Sequence, residues 1–127
     1  MNIAFFGTPD FAVPALQKIH SSKHHVLAAI TGMPKPAGRG QKLTKTPVYI
    51  ESGKIGIPII EVDDLQDPIF INKLKALKVD IFIVVAFRIL SEKIFSIPKH
   101  GTVNLHASLL PKYKGSAPIH HAILNGE

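Results

Sequence analysis

Short apolar runs alternate with amphipathic stretches along the chain, and their periods assign an element to each. Asn2 to Phe6 is a buried-type run that reads as a strand. Asp10 to His20 follows with Phe11, Leu16 and Ile19 at helical spacing, and Pro14 is tolerable there only near the first turn. His25 to Thr31 is a second apolar run. Residues 33 to 46 then lose any hydrophobic period and hold prolines and glycines, which predicts a long exposed loop before a short helix opening near Thr46-Pro47. Ile57 to Val62 reads as a third strand. Asp67-Pro68 supplies an N-cap with proline at the first helical position, and Ile69, Phe70, Leu74 and Leu77 continue at helical spacing. Asp80 to Phe87 is rich in β-branched and aromatic residues, as expected of a central strand covered on both faces. Ser91 is placed to cap a helix before Pro98, Gly101 to Ala107 forms the next strand, and Ser116-Ala-Pro118 opens a helix that Gly126 can close.

This rhythm predicts one α/β domain of Rossmann-like type, an open, mostly parallel sheet with helices on both faces. Ligands of such sheets bind beyond the carboxyl ends of the strands. Four segments fall there: Gly7 to Phe11, the basic loop, Phe87 to Leu90, and Asn104 to Pro111. The first turn is not a dinucleotide fingerprint, because Pro9 and Ala12 stand where Gly-x-Gly-x-x-Gly needs glycine. No Gly-x-x-x-x-Gly-Lys-Ser/Thr segment exists either.

Composition adds two constraints. With no cysteine there is no disulfide framework, thiolate site or cysteine nucleophile. No apolar run reaches membrane-spanning length, and Met1 leads straight into a strand-like run without a basic leader, so a cytoplasmic protein is expected. Charge is more telling. The net charge is +6, and residues 11 to 50 hold Lys18, Lys23, Lys35, Arg39, Lys42 and Lys45 without one Asp or Glu. The basic excess is concentrated around the period-free loop, which suits either a solvated surface loop or a contact with a polyanion such as RNA.

Near the end of the last strand-like run, Asn104 and His106 stand two apart and so project from one face. A carboxamide and an imidazole there can hold a developing oxyanion and move a proton, as addition to a carbonyl with loss of an amine requires. A polar strand end with satisfied hydrogen bonds would have the same sequence. No metal is expected. His20, His24 and His25 lie together without a nearby Glu or Cys, and the adjacent His120 and His121 would diverge on a helix.

Three motifs in order sharpen the reading: Gly7-Thr8-Pro9-Asp10-Phe11, Pro36-Ala37-Gly38-Arg39-Gly40 with Lys42-Leu43, and Asn104-Leu-His106-Ala-Ser108-Leu109-Leu110-Pro111 with Gly115. Together they resemble the methionyl-tRNA formyltransferase family along essentially the whole chain. The resemblance implies 10-formyltetrahydrofolate as formyl donor and co-substrate, the α-amino group of initiator methionyl-tRNA as acceptor, and a monomer at full length. It implies Asn104 and His106 as catalytic residues. Phe87, Arg88, Ile89 and Leu90 would line the donor pocket, Ser108, Leu109, Leu110 and Pro111 would shape the loop beyond the catalytic strand, and Lys35, Arg39, Lys42 and Lys45 would touch the tRNA. Residues 1 to 127 would be the N-terminal part of the catalytic domain. The family's catalytic aspartate, later strands and C-terminal tRNA-binding domain have no counterpart here, so a fragment with little or no turnover is expected. Phe87-Arg88 departs from the Tyr-Gly of many relatives and is similar to the matching stretch of glycinamide ribonucleotide formyltransferases. This leaves open a small amine acceptor on the same fold, or an RNA-binding α/β module without catalysis.

Overall fold

The computed structural model describes residues 1–105. His106, Ser108 to Pro111 and the helix expected from Ser116 lie outside them.

A five-stranded parallel sheet forms the centre, with strands β1 (Asn2–Gly7), β2 (His25–Gly32), β5 (Ile59–Val62), β6 (Ile81–Val85) and β7 (Thr102–Leu105) in the order β5-β2-β1-β6-β7. β1 pairs with both β2 and β6, so the order reverses beside the first strand and opens a crevice at its carboxyl end. Helices cover both faces. Alternation along β1 sends Phe5 toward Leu16 of α1 (Val13–His20) and Val48 of α2 (Pro47–Ile55). It sends Phe6 toward Phe70 and Leu74 of α3 (Pro68–Leu77) and Ile94 of α4 (Glu92–Phe95). Phe5, Phe6 and Phe82 are fully buried, and two continuous apolar layers hold the sheet.

Local signals account for most boundaries. Thr46 accepts a hydrogen bond from the Tyr49 N–H at the start of α2, Pro47 follows, and Gly56 closes the helix in the left-handed conformation. Asp67 caps α3 by accepting from the Ile69 N–H. At the amino edge of the sheet, Asp80 accepts from the Asn2 N–H and faces Lys99 at 3.4 Å. The Asn2 hydrogen bond foremost, with help from Lys99, holds its carboxyl below the usual carboxylate range.

Four details depart from expectation. The first helical stretch begins as a 3-10 turn over Asp10–Ala12, so Pro14 falls in the opening turn of α1 and Phe11 is about half exposed instead of buried with Leu16. β6 ends at Val85, two residues early, because Ala86 turns the chain with φ 54°. Ser91 occupies the N-cap of α4, but its buried hydroxyl makes no hydrogen bond among the described residues. The basic segment is not irregular: β3 (Lys35–Ala37) and β4 (Lys42–Thr44) form an antiparallel ribbon. Its turn carries positive φ at Gly38, Gly40 and Gln41, which explains two of the glycines in Pro-Ala-Gly-Arg-Gly.

Candidate active site

The first turn is built for close approach. A Cβ on Gly7 would lie 2.8 Å from the Phe5 ring and 3.0 Å from the Val85 carbonyl oxygen, so only glycine lets β1 end against β6. Thr8 then accepts from the Gly32 N–H at 3.3 Å and joins the ends of β1 and β2. A cleft of about 640 Å³ opens at this carboxyl edge, between Thr8 and Pro9, the Gly32–Lys35 stretch, Val62 and Asp63, and the Ala86–Arg88 turn. It lies at the crevice expected from the strand order.

The segment after β6 forms one wall. Phe87 is half-buried and packs edge-on against Phe6 at a centroid distance of 5.5 Å, while Leu90 is buried in the layer beneath α3 and α4. Between them Ile89 is 93% exposed. The backbone amides and carbonyls of residues 87 to 90 have no hydrogen-bond partner among the described residues. An aromatic face, an exposed aliphatic side chain and backbone donors and acceptors without a partner among the described residues suit a flat heterocycle with a polar edge. Arg88, expected to line the donor pocket, borders the cleft, donates to the backbone carbonyls of Val62 and Asp63 and leans over the Phe87 ring. Nothing in the sequence marks those two carbonyls as its partners.

Asn104 lies on β7 directly opposite Val84, whose side chain is in the α3/α4 layer, so Asn104 projects from the same sheet face that receives Phe87 and Leu90. It is half-buried, as a group meeting a ligand at a strand end would be. The alternation expected to put Asn104 and His106 on one face involves a residue outside the described ones. His106 and Ser108 to Pro111 lie outside the described residues.

The basic ribbon rises beside the cleft, which Lys35 helps to line. Its register pairs Lys35 with Thr44, Pro36 with Leu43 and Ala37 with Lys42, so Lys35 and Lys42 share one face and Pro36 and Leu43 the other. Leu43 is 72% exposed. The four expected cations are not equivalent. Lys45 pairs with Glu61 at 3.2 Å and sits over the Tyr49 ring, whereas Lys35, Arg39 and Lys42 are exposed and have no ion-pair partner among the described residues. A feature that sequence reasoning missed anchors the ribbon: the hydroxyls of Thr31 and Thr46 meet at 2.6 Å in the buried interior. They join the two points where the ribbon leaves and re-enters the fold. Among the described residues no three His, Asp or Glu side chains are grouped to hold a metal ion, and no helix is long and apolar enough to cross a membrane.

Comparison with known proteins agrees with this geometry. A family model described as formyl transferase matches residues 1–127. The chain is 48% identical over 128 residues to the methionyl-tRNA formyltransferase of Moorella thermoacetica, with all of this chain and 41% of that protein covered. It is 51% identical over 129 residues to the enzyme of the same name from Clostridium beijerinckii, covering 42% of it. The chain thus spans about two fifths of the curated relatives it matches. Among solved structures, phosphoribosylglycinamide formyltransferase from Anaplasma phagocytophilum superposes with a TM-score of 0.61 at 24% identity, covering 96% of this chain and 57% of that one. Glycinamide ribonucleotide transformylase 1 from Symbiobacterium toebii gives 0.59 at 14% identity, covering 97% and 61%. At that identity the likeness is one of fold.

Proposed function

This chain belongs to the formyl transferase family, and we propose that it forms the N-terminal part of the catalytic domain of an enzyme that moves a formyl group from 10-formyltetrahydrofolate to the amino group of initiator methionyl-tRNA. The reading rests above all on one juxtaposition: Asn104, the open backbone of residues 87 to 90 and the root of the basic ribbon all meet the carboxyl edge of one parallel sheet. The identity to enzymes named methionyl-tRNA formyltransferase supports the choice of acceptor.

In this reading the pterin lies against Phe87 and Ile89 and takes hydrogen bonds from the backbone of residues 87 to 90. Leu90 is the buried anchor of that wall. Ser108, Leu109, Leu110 and Pro111 complete the pocket beyond the catalytic strand. The neutral amine attacks the formyl carbon, and the carbonyl oxygen takes up negative charge. The Asn104 carboxamide N–H donates to that oxygen. His106 helps to hold it and carries a proton from the attacking amine toward the departing folate nitrogen. In this reading the rest of the catalytic domain and a tRNA-binding domain correspond to the part of the relatives beyond the two fifths that this chain spans.

Lys35, Arg39 and Lys42 meet the phosphates of the acceptor arm, and Lys45, held by Glu61, supports the ribbon from below. The protein acts in the cytoplasm as a monomer. The test is formyl transfer by the full-length protein that carries this chain, with methionyl initiator tRNA and glycinamide ribonucleotide competing as acceptors. Formylated tRNA is the expected product, and Asn104→Ala lowers kcat by about 10²-fold or more. Exclusive use of the small amine would reject the acceptor and the role given to residues 33 to 46.

A further inference from the structure

In the sheet order β5-β2-β1-β6-β7, two strands stand between the end of β6 and the end of β5. At the usual strand spacing that separation is roughly 14 Å, farther than one side chain reaches. Yet Arg88, three residues past β6, donates to the carbonyls of the last residue of β5 and of the one after it. The chain covers the remainder by turning at Ala86, whose left-handed φ of 54° is an uncommon conformation for a residue with a Cβ. The guanidinium therefore ties together two loops that come from distant strands and form two walls of the same cleft. Its planar fork suits two carbonyl acceptors, which a lysine ammonium cannot reproduce in the same geometry.

We propose that Arg88 is a positioning residue for the formyl donor: its fork across the Val62 and Asp63 carbonyls holds the backbone of residues 86 to 90 in the conformation that receives a pterin. This rests on the reading of residues 87 to 90 as the donor wall. Arg88 turns two of its five side-chain N–H donors onto the protein, and in this proposal its contribution to the donor passes through the backbone it holds. Without the fork, no hydrogen bond among the described residues links this segment to the end of β5, only the apolar packing of Phe87 and Leu90 in the layer that holds Val62, and donor binding then has to order more of its backbone.

The test uses the full-length protein with Arg88→Met, Arg88→Lys and Arg88→Ala. Arg88→Met raises the KM for 10-formyltetrahydrofolate about tenfold, as expected when two charge-assisted hydrogen bonds that preorganise a site are lost. The kcat at saturating donor and the KM for methionyl-tRNA stay within about twofold. Saturating donor protects the amides of residues 86 to 90 from exchange in the wild type, and in Arg88→Met the same protection requires about tenfold more donor. Arg88→Lys is intermediate, and millimolar guanidinium ions lower the donor KM of Arg88→Ala. An unchanged donor KM in Arg88→Met, while the wild type is protected by donor at residues 86 to 90, overturns the role of Arg88 and leaves the donor wall standing. Equal damage to both KM values and kcat overturns it in favour of general structural support. If donor gives the wild type no protection at residues 86 to 90, the donor wall itself is wrong, and this inference falls with it.

Discussion

Gly7 has its aromatic neighbour two residues earlier on its own strand and a carbonyl oxygen of the next strand within 3.0 Å of where a Cβ would stand. Neither can retreat, since Phe5 is fully buried and Val85 is fixed in the β1–β6 ladder. Gly7→Ala is therefore expected to cost about 1–3 kcal/mol through overpacking. Urea denaturation measures this, and a loss below about 0.5 kcal/mol, the range of a neutral surface change, would contradict the packing argument. The glycine was legible in the sequence as the opening of a motif, but its reason was not. The atoms that exclude a side chain include one about eighty residues away, and only the parallel pairing of β1 with β6 brings them together. Arg88 shows the same gap, because its carbonyl partners lie 25 and 26 residues earlier and any residue type could supply them. Asn104 was readable as a strand residue because strand alternation is a local rule, whereas the sheet face it takes follows from its pairing with Val84, which no local rule announces.

The elements divide along the same line. Strands β1, β2 and β6 and helix α3 were visible as apolar runs and capped amphipathic stretches, which depend on neighbouring residues alone. The basic segment has no hydrophobic period because its ribbon packs neither face into the core, and so its strands were not visible. What positions it is the Thr31–Thr46 hydroxyl pair, with Thr46 also accepting from the Tyr49 N–H. Both residues are almost completely shielded from water, which makes an unpartnered hydroxyl there costly. Thr31→Val leaves one hydroxyl without its partner and is expected to cost about 1 kcal/mol or somewhat more. Thr46→Val also removes the cap of α2 and is expected to cost about 2–3 kcal/mol in all. Thr46→Ser keeps both contacts and stays close to wild type. Denaturation midpoints, with limited proteolysis after Arg39 and Lys42, would show the ribbon loosening in the same order. Equal stability of the two valine variants would mean that the cap of α2 is not carried by the Thr46 hydroxyl.

At the scale of the whole molecule, charge is distributed unevenly, and the sequence showed this only in outline. The excess of +6 was traceable to the stretch around the ribbon, but counting lysines treats them as equal, and folding makes them unequal. Lys45 already has a carboxylate at 3.2 Å and an aromatic ring beneath it, while Lys42 is exposed on the open face of the ribbon. A cation that meets a phosphate releases a condensed counterion, and each such contact steepens the salt dependence of RNA binding by roughly 0.7–0.9 in log–log slope. A cation that keeps its own carboxylate releases little. Lys42→Gln in the full-length protein is therefore expected to flatten the slope of tRNA affinity against salt by nearly one, with affinity lost evenly across tRNA sequences. Lys45→Gln is expected to change the slope by clearly less, although it weakens binding by leaving Glu61 exposed to the phosphates. Titrations of fluorescently labelled initiator tRNA at several salt concentrations separate the two effects. Equal slopes for Lys42→Gln and wild type would remove the phosphate contact from the ribbon's open face. A larger change at Lys45 than at Lys42 would mean that the Glu61 pair breaks on binding and that the ribbon meets RNA from its other side.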